Sequence, residues 1–118
     1  MKLDELPIVD TALGIRLAGN KKDLANEILS LLIQTLPDDI SSIITQYQNK
    51  NYTELLREVH KLHGAVCYCG LPRLKTLLDQ LETHLKNPIM EDQLKILVTQ
   101  LSTEATLLLE HYSSPKRP

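Results

Sequence analysis

This sequence predicts an all-α fold: an antiparallel up-down four-helix bundle with a short N-terminal capping helix. Three observations carry that expectation. Leu and Ile recur at spacings of three and four through most of the chain, the period of a helix with one buried face. Phe and Trp are absent and there are only 4 glycines, so the core should be aliphatic and the elements helical rather than extended. The periodic runs are separated by short polar or Gly/Pro breaks, and helices joined that way pack antiparallel to their neighbours. A chain of 118 residues with 42% hydrophobic content can bury such a core as one domain, 1–118, without disulfide or metal.

A short first helix is expected over about 9–17, followed by a Gly19-Asn20 turn, and it caps the bundle. The second run begins near Lys22 and places Leu24, Ile28, Leu31, Leu32, Leu36, Ile40, Ile43, Ile44 and Tyr47 at helical spacing. Pro37 falls in its middle, where a missing N–H must kink or split a helix. Asp38 and Asp39 would also suit a new first turn, so one kinked helix and two separate ones both fit. Polar residues 48–51 close the run. The third helix is expected over 52–69, with Leu55, Val59, Leu62, Val66 and Cys69 as its buried stripe. Gly70 can then take a left-handed conformation, and Pro72 suits the first turn of the next helix. That helix, about 71–86, buries Leu71, Leu74, Leu78, Leu81 and Leu85, and Asn87-Pro88 ends it. The last, about 91–112, buries Leu94, Leu97, Val98, Leu101, Ala105 and Leu108. Residues from about 113 to 118, which contain Lys116-Arg117 and end in proline, read as a disordered tail.

Several functions are disfavoured by composition. A net charge of −2 lacks the basic surface that phosphate backbones require, so no nucleic-acid partner is expected. Cys67 and Cys69 are too close for an ordinary disulfide within a helix and fit a reducing compartment, as a boundary and a core residue. No signal pattern and no apolar run of about 18 residues is seen, so membrane contact by this domain is not expected and the cytoplasm is the expected location.

The third helix carries the chemistry. At about 100° per residue, His60 and Gly64 fall roughly 140–180° from the centre of its stripe, on the outward face and one turn apart. An interior helix glycine is about 0.8–1 kcal/mol worse than alanine, which suggests that something approaches the backbone beside His60. An outward imidazole can accept a phosphoryl group, and such transfer needs chiefly an unobstructed in-line approach, which Gly64 would provide. His60 lies ten residues before Gly70 and Glu82 twelve after it. At ~1.5 Å per residue they reach similar height on adjacent antiparallel helices. A Glu82 carboxylate there could accept a hydrogen bond from one ring nitrogen, fix the tautomer and leave the other nitrogen as nucleophile. Arg57, Lys61 and His63 are candidate donors to phosphoryl oxygens, with Arg57 and His63 better placed by one-turn spacing. His60 and His63 lack a third ligand and make a poor metal pair, so no metal is expected.

The run His60-Lys61-Leu62-His63-Gly64, followed by Tyr68, Gly70, Pro72, Arg73 and Lys75, resembles the histidine-phosphotransfer (HPt) domain. The resemblance is to the branch found at the C-terminus of BarA/GacS-type hybrid sensor kinases. It extends over nearly the whole chain, including Asn20 to Ala25 and Leu36-Pro37. It implies a four-helix bundle in which His60 takes a phosphoryl group from an aspartate of one receiver domain and hands it to another. The receivers implied are those of a hybrid sensor kinase and of a response regulator. By the same resemblance Gly64 is the clearance glycine, Glu82 contacts the ring, and His63 stands where many HPt domains carry lysine. No autonomous kinase activity is implied, and no Gly-rich phosphate loop occurs. No cofactor is expected in this domain, with Mg²⁺ held by the partner receiver. The implied setting is the cytoplasmic part of an inner-membrane sensor kinase, with transient docking on the face around His60, including Leu56.

Two other readings use the same face. A non-catalytic helical module would bind receiver-like partners without transfer, and a homodimeric bundle would pair through Leu56 and Tyr68.

Overall fold

The computed structural model describes residues 3–113; the expected tail, beyond Ser113, lies outside them. After a single 3₁₀ turn at Leu3–Glu5, five α-helices follow: α1 Thr11–Leu17, α2 Lys22–Gln48, α3 Tyr52–Val66, α4 Pro72–Leu85 and α5 Glu91–Ser113. No strand occurs among the described residues. Helix α3 packs between α2 and α4, α5 packs against α4 and α2, and the four long helices thereby close a bundle. Short connections make consecutive helices antiparallel.

The core is aliphatic. Leu36, Ile43, Leu55, Leu78, Leu81, Leu94, Leu101 and Leu108 are fully buried at its centre. Helix α2 runs uninterrupted through Pro37, which settles its two possible readings in favour of one helix of 27 residues. By length and hydropathy alone α2 could cross a bilayer. Here its buried Leu32, Leu36, Ile40 and Ile43 join the bundle core, while Asp38 at its middle is exposed. Its expected stripe is too wide: Leu24 and Leu31 are exposed.

Helix α3 stops three residues earlier than its periodicity predicts, because i→i−3 bonds from Tyr68 N to Ala65 O and Cys69 N to Val66 O tighten the chain into turns. Gly70, at φ +67°, then reverses the backbone. Helix α1 starts later than expected, at Thr11, where the Asp10 carboxylate accepts a hydrogen bond from Leu13 N. It packs on α2 and meets the α3–α4 turn backbone to backbone, with Asp10 N donating to Gly70 O at 2.8 Å.

On α4, Leu77 is buried although its spacing did not single it out, and Leu85 is only partly covered. A largely buried ion pair also escapes the pattern. Arg73 on α4 faces Glu104 on α5 at 3.4 Å and donates from Nε to Leu6 O at 2.7 Å, tying the N-terminal segment to the bundle. Leu56, expected to be exposed, is partly buried. It borders the α3 stripe, and α2 and α4 cover that stripe from both sides. This removes one support of the Leu56/Tyr68 dimer reading.

Candidate functional site

The α3–α4 hairpin places His60 and Glu82 at matching height. His60 Nδ1 lies 2.6 Å from Glu82 Oε2. The imidazole is 73% exposed and the carboxylate 9%. Burial pushes the Glu82 carboxyl up, but hydrogen bonds from His60, His63 and Lys86 outweigh it and hold the group down at about 2, against an ordinary 4.5. The carboxylate is therefore an acceptor only, and Nδ1 of His60 must be the donor. In a neutral ring the lone pair then sits on Nε2, and no hydrogen bond or ion pair occupies that nitrogen among the described residues. The arrangement can present one nucleophilic nitrogen to solvent in a defined tautomer.

Gly64 is exposed on the same face, one turn on. A Cβ added there would meet nothing within 4 Å. No helix packs onto this glycine, so helix–helix packing does not explain it.

His63 sits differently from the expectation that it donates to a phosphoryl group. Its ring is 18% exposed and lies between two carboxylates of α4. Nδ1 is 2.9 Å from Glu82 Oε1, and Nε2 is 2.8 Å from Asp79 Oδ1 without being aligned for a hydrogen bond. Arg57 is exposed and paired with Glu54 at 3.2 Å along its own helix. Lys61 is exposed and unpaired among the described residues. Neither bonds to the His60–Glu82 pair. Both line a groove between α2 and α3, with Thr35 and Asp39 across from them.

Three residues of the cluster were given no role at the site by the sequence reading, although Lys75 belongs to the run that carries the family resemblance. Lys86 Nζ is 3.2 Å from Glu82 Oε2, and Lys75 Nζ is 3.2 Å from Asp79 Oδ2. Lys75, Asp79, Glu82 and Lys86 recur on α4 at spacings of four, three and four, so the periodicity that revealed the core also carried this charged edge. No group of His, Cys, Asp or Glu among the described residues has the geometry to hold a metal ion. Cys69 is buried, which pushes its thiol up to about 11 and away from an activated thiol, and Cys67 is partly buried. The exposed Leu31 and Tyr68 flank an apolar groove between α2 and the end of α3, lined also by Ala65.

Comparisons with known proteins agree on one family. The Hpt domain matches residues 27–111. The chain is 35% identical over 106 residues to the sensor protein GacS of Pseudomonas syringae, covering 86% of this chain and 12% of that protein. It is 33% identical over 96 residues to the signal transduction histidine-protein kinase BarA of Escherichia coli K12, covering 81% of this chain and 10% of that one. The chain thus spans about an eighth or less of the length of these relatives. The HPT domain of a sensor hybrid histidine kinase from Shewanella superposes with a TM-score of 0.74 at 29% identity, over 93% of this chain and 97% of that domain.

Proposed function

This chain belongs to the Hpt domain family, whose members in hybrid sensor kinases are phosphorelay intermediates, and we propose that His60 is the residue that carries its phosphoryl group. The observation that carries the reading is the exposed ring whose Nδ1 is held by a buried, ionised Glu82. The donor is an aspartyl phosphate of a receiver domain. The Nε2 lone pair attacks phosphorus in line, and the bond from phosphorus to the aspartyl oxygen breaks with its electron pair going to the carboxylate. The ring keeps its Nδ1 proton and becomes a cation, which the adjacent Glu82 carboxylate stabilises. Reversal of these steps onto the aspartate of a second receiver completes the relay.

The partners are the receiver domains of a hybrid sensor kinase and of a response regulator. Mg²⁺ belongs to the receiver, where it neutralises the transferring group. Docking uses the face around His60, with Arg57 and Lys61 on one flank and the exposed apolar Leu31 and Tyr68 of the groove at the end of α3. The domain works in the cytoplasm, as part of a sensor-kinase relay.

Phosphoryl transfer from a phosphorylated receiver to the wild-type domain and to His60→Gln tests the proposal. Acid-labile label on the wild type alone is the expected result. Intact receiver binding with no label on either protein would instead make the domain a non-catalytic interaction module.

A further inference from the structure

We propose that His63 is a positioning residue for this transfer: seated between Glu82 and Asp79 and hydrogen-bonded to Glu82, it fixes the carboxylate against Nδ1 of His60 and so keeps Nε2 as the reacting nitrogen. The proposal rests on the reading of His60 as the carrier. Position in sequence suggests a donor to phosphoryl oxygens, but both ring nitrogens of His63 face carboxylates of α4 and the ring is mostly covered. It is turned inward, toward Glu82, and away from an incoming group.

Glu82 needs such a support. The terminal torsion of a Glu side chain is broad and roughly two-fold, so intrinsic preference does not set the plane of the carboxylate. Its partners must set it. Oε2 contacts His60 and Lys86, of which the first is the mobile ring to be positioned and the second is a flexible side chain 59% exposed. Oε1 contacts His63 alone among the described residues, at 2.9 Å. His63 is the most enclosed of the three donors; its Nε2 lies 2.8 Å from Asp79 Oδ1, close but without hydrogen-bond alignment, and Lys75 pairs with Asp79 from the far side. The contacts form one line along the α3–α4 seam: Lys75, Asp79, His63, Glu82, His60.

The chemical consequence lies in the tautomer. If the carboxylate swings away, nothing holds the proton on Nδ1 of His60, and the Nε2–H tautomer, whose exposed nitrogen has no lone pair for phosphorus, becomes populated. His63 itself gains and loses no atom in the step.

The test uses the domain with phosphoramidate as a small phosphoryl donor and with a phosphorylated receiver, alongside ¹⁵N NMR of the His60 ring. His63→Leu removes the donor to Oε1. It should slow loading of His60 about tenfold, a modest misplacement by the standard of positioned groups, and shift the His60 ring signals away from the Nδ1–H form. His63→Gln retains an amide N–H for Oε1 and should restore most of the rate and the ring signature. Asp79→Asn, at a half-exposed position, covers the case in which His63→Leu fails to fold; about threefold slowing is expected from loosening the network. Unchanged rates and ring signals in His63→Leu, or in Asp79→Asn if only that folds, overturn the positioning role and leave the carrier reading standing, provided His60→Gln takes no label. Absence of label on the wild type from both donors overturns the carrier reading and this proposal together.

Discussion

His60 and Glu82 are 22 residues apart in sequence and 2.6 Å apart at Nδ1 and Oε2, an exposed ring anchored on a buried carboxylate. The pairing reconciles two demands that conflict on a surface. A phosphoryl acceptor must be reachable from solvent, yet an unrestrained ring samples orientations and tautomers unsuited to in-line attack. Placing the restraint beneath the ring, on the neighbouring helix, meets the second demand without obstructing Nε2. The hairpin supplies the register, since α3 and α4 are set by the Cys67–Leu71 turn and by the leucines packed between them.

The same pair makes the domain sensitive to acid. The folded state holds Glu82 down at about 2, against an ordinary 4.5. A carboxyl depressed on folding contributes stability that is fully present above its unfolded value and is lost as pH falls from about 4.5 toward 2. Thermal unfolding should therefore show the wild type more stable than Glu82→Gln near neutral pH, with the gap closing across that acid range. Parallel decline of the two melting temperatures would remove Glu82 from the acid response.

Gly70 should tolerate no side chain. Its φ of +67° already disfavours other residues, and an added Cβ would lie 2.5 Å from Asp10 O and 2.7 Å from Gly14 N, both backbone atoms. Backbone cannot swing aside as a side-chain tip can, so α1 must lift from the α3–α4 turn. Gly70→Ala is expected to cost about 3 kcal/mol in denaturant unfolding, combining left-handed strain with the lost contact. Hydrogen exchange should localise the change to the Asp10 amide, which donates to Gly70 O. A loss below about 1 kcal/mol would mean that the close approach of α1 is not a constraint on the fold.

Helical period made the bundle legible, and it also explains where the reading failed. Leu55, Val59, Leu62 and Val66 repeat on one face and are all buried, so the outward phase of His60 followed directly. Leu24 and Leu31 share the period of α2 and are exposed, because period identifies an apolar side of a helix and not how much of it neighbours cover. Period does not single out Glu104, since its partner Arg73 lies 31 residues away on another helix and one-dimensional pattern does not register that approach. The surroundings of His63 were hidden for a related reason: its spacing from His60 was visible in the chain, but the two α4 carboxylates that it faces are known only once the helices are docked.

Gly64 separates stability from function. A Cβ there would meet nothing within 4 Å, so within the domain the glycine brings only its helix-interior penalty. Gly64→Ala should therefore raise unfolding free energy by about 0.8–1 kcal/mol. The open space lies one helical turn from His60 on the same exposed face, where a receiver must bring its aspartyl phosphate in line with Nε2. Added bulk should accordingly slow transfer from a phosphorylated receiver, more for Gly64→Leu than for Gly64→Ala, while loading by phosphoramidate changes little because that donor needs far less room. Equal slowing with both donors would mean that the substitution disturbs His60 itself. Undiminished transfer from the receiver to the more stable Gly64→Ala protein would show that clearance is not what the glycine supplies.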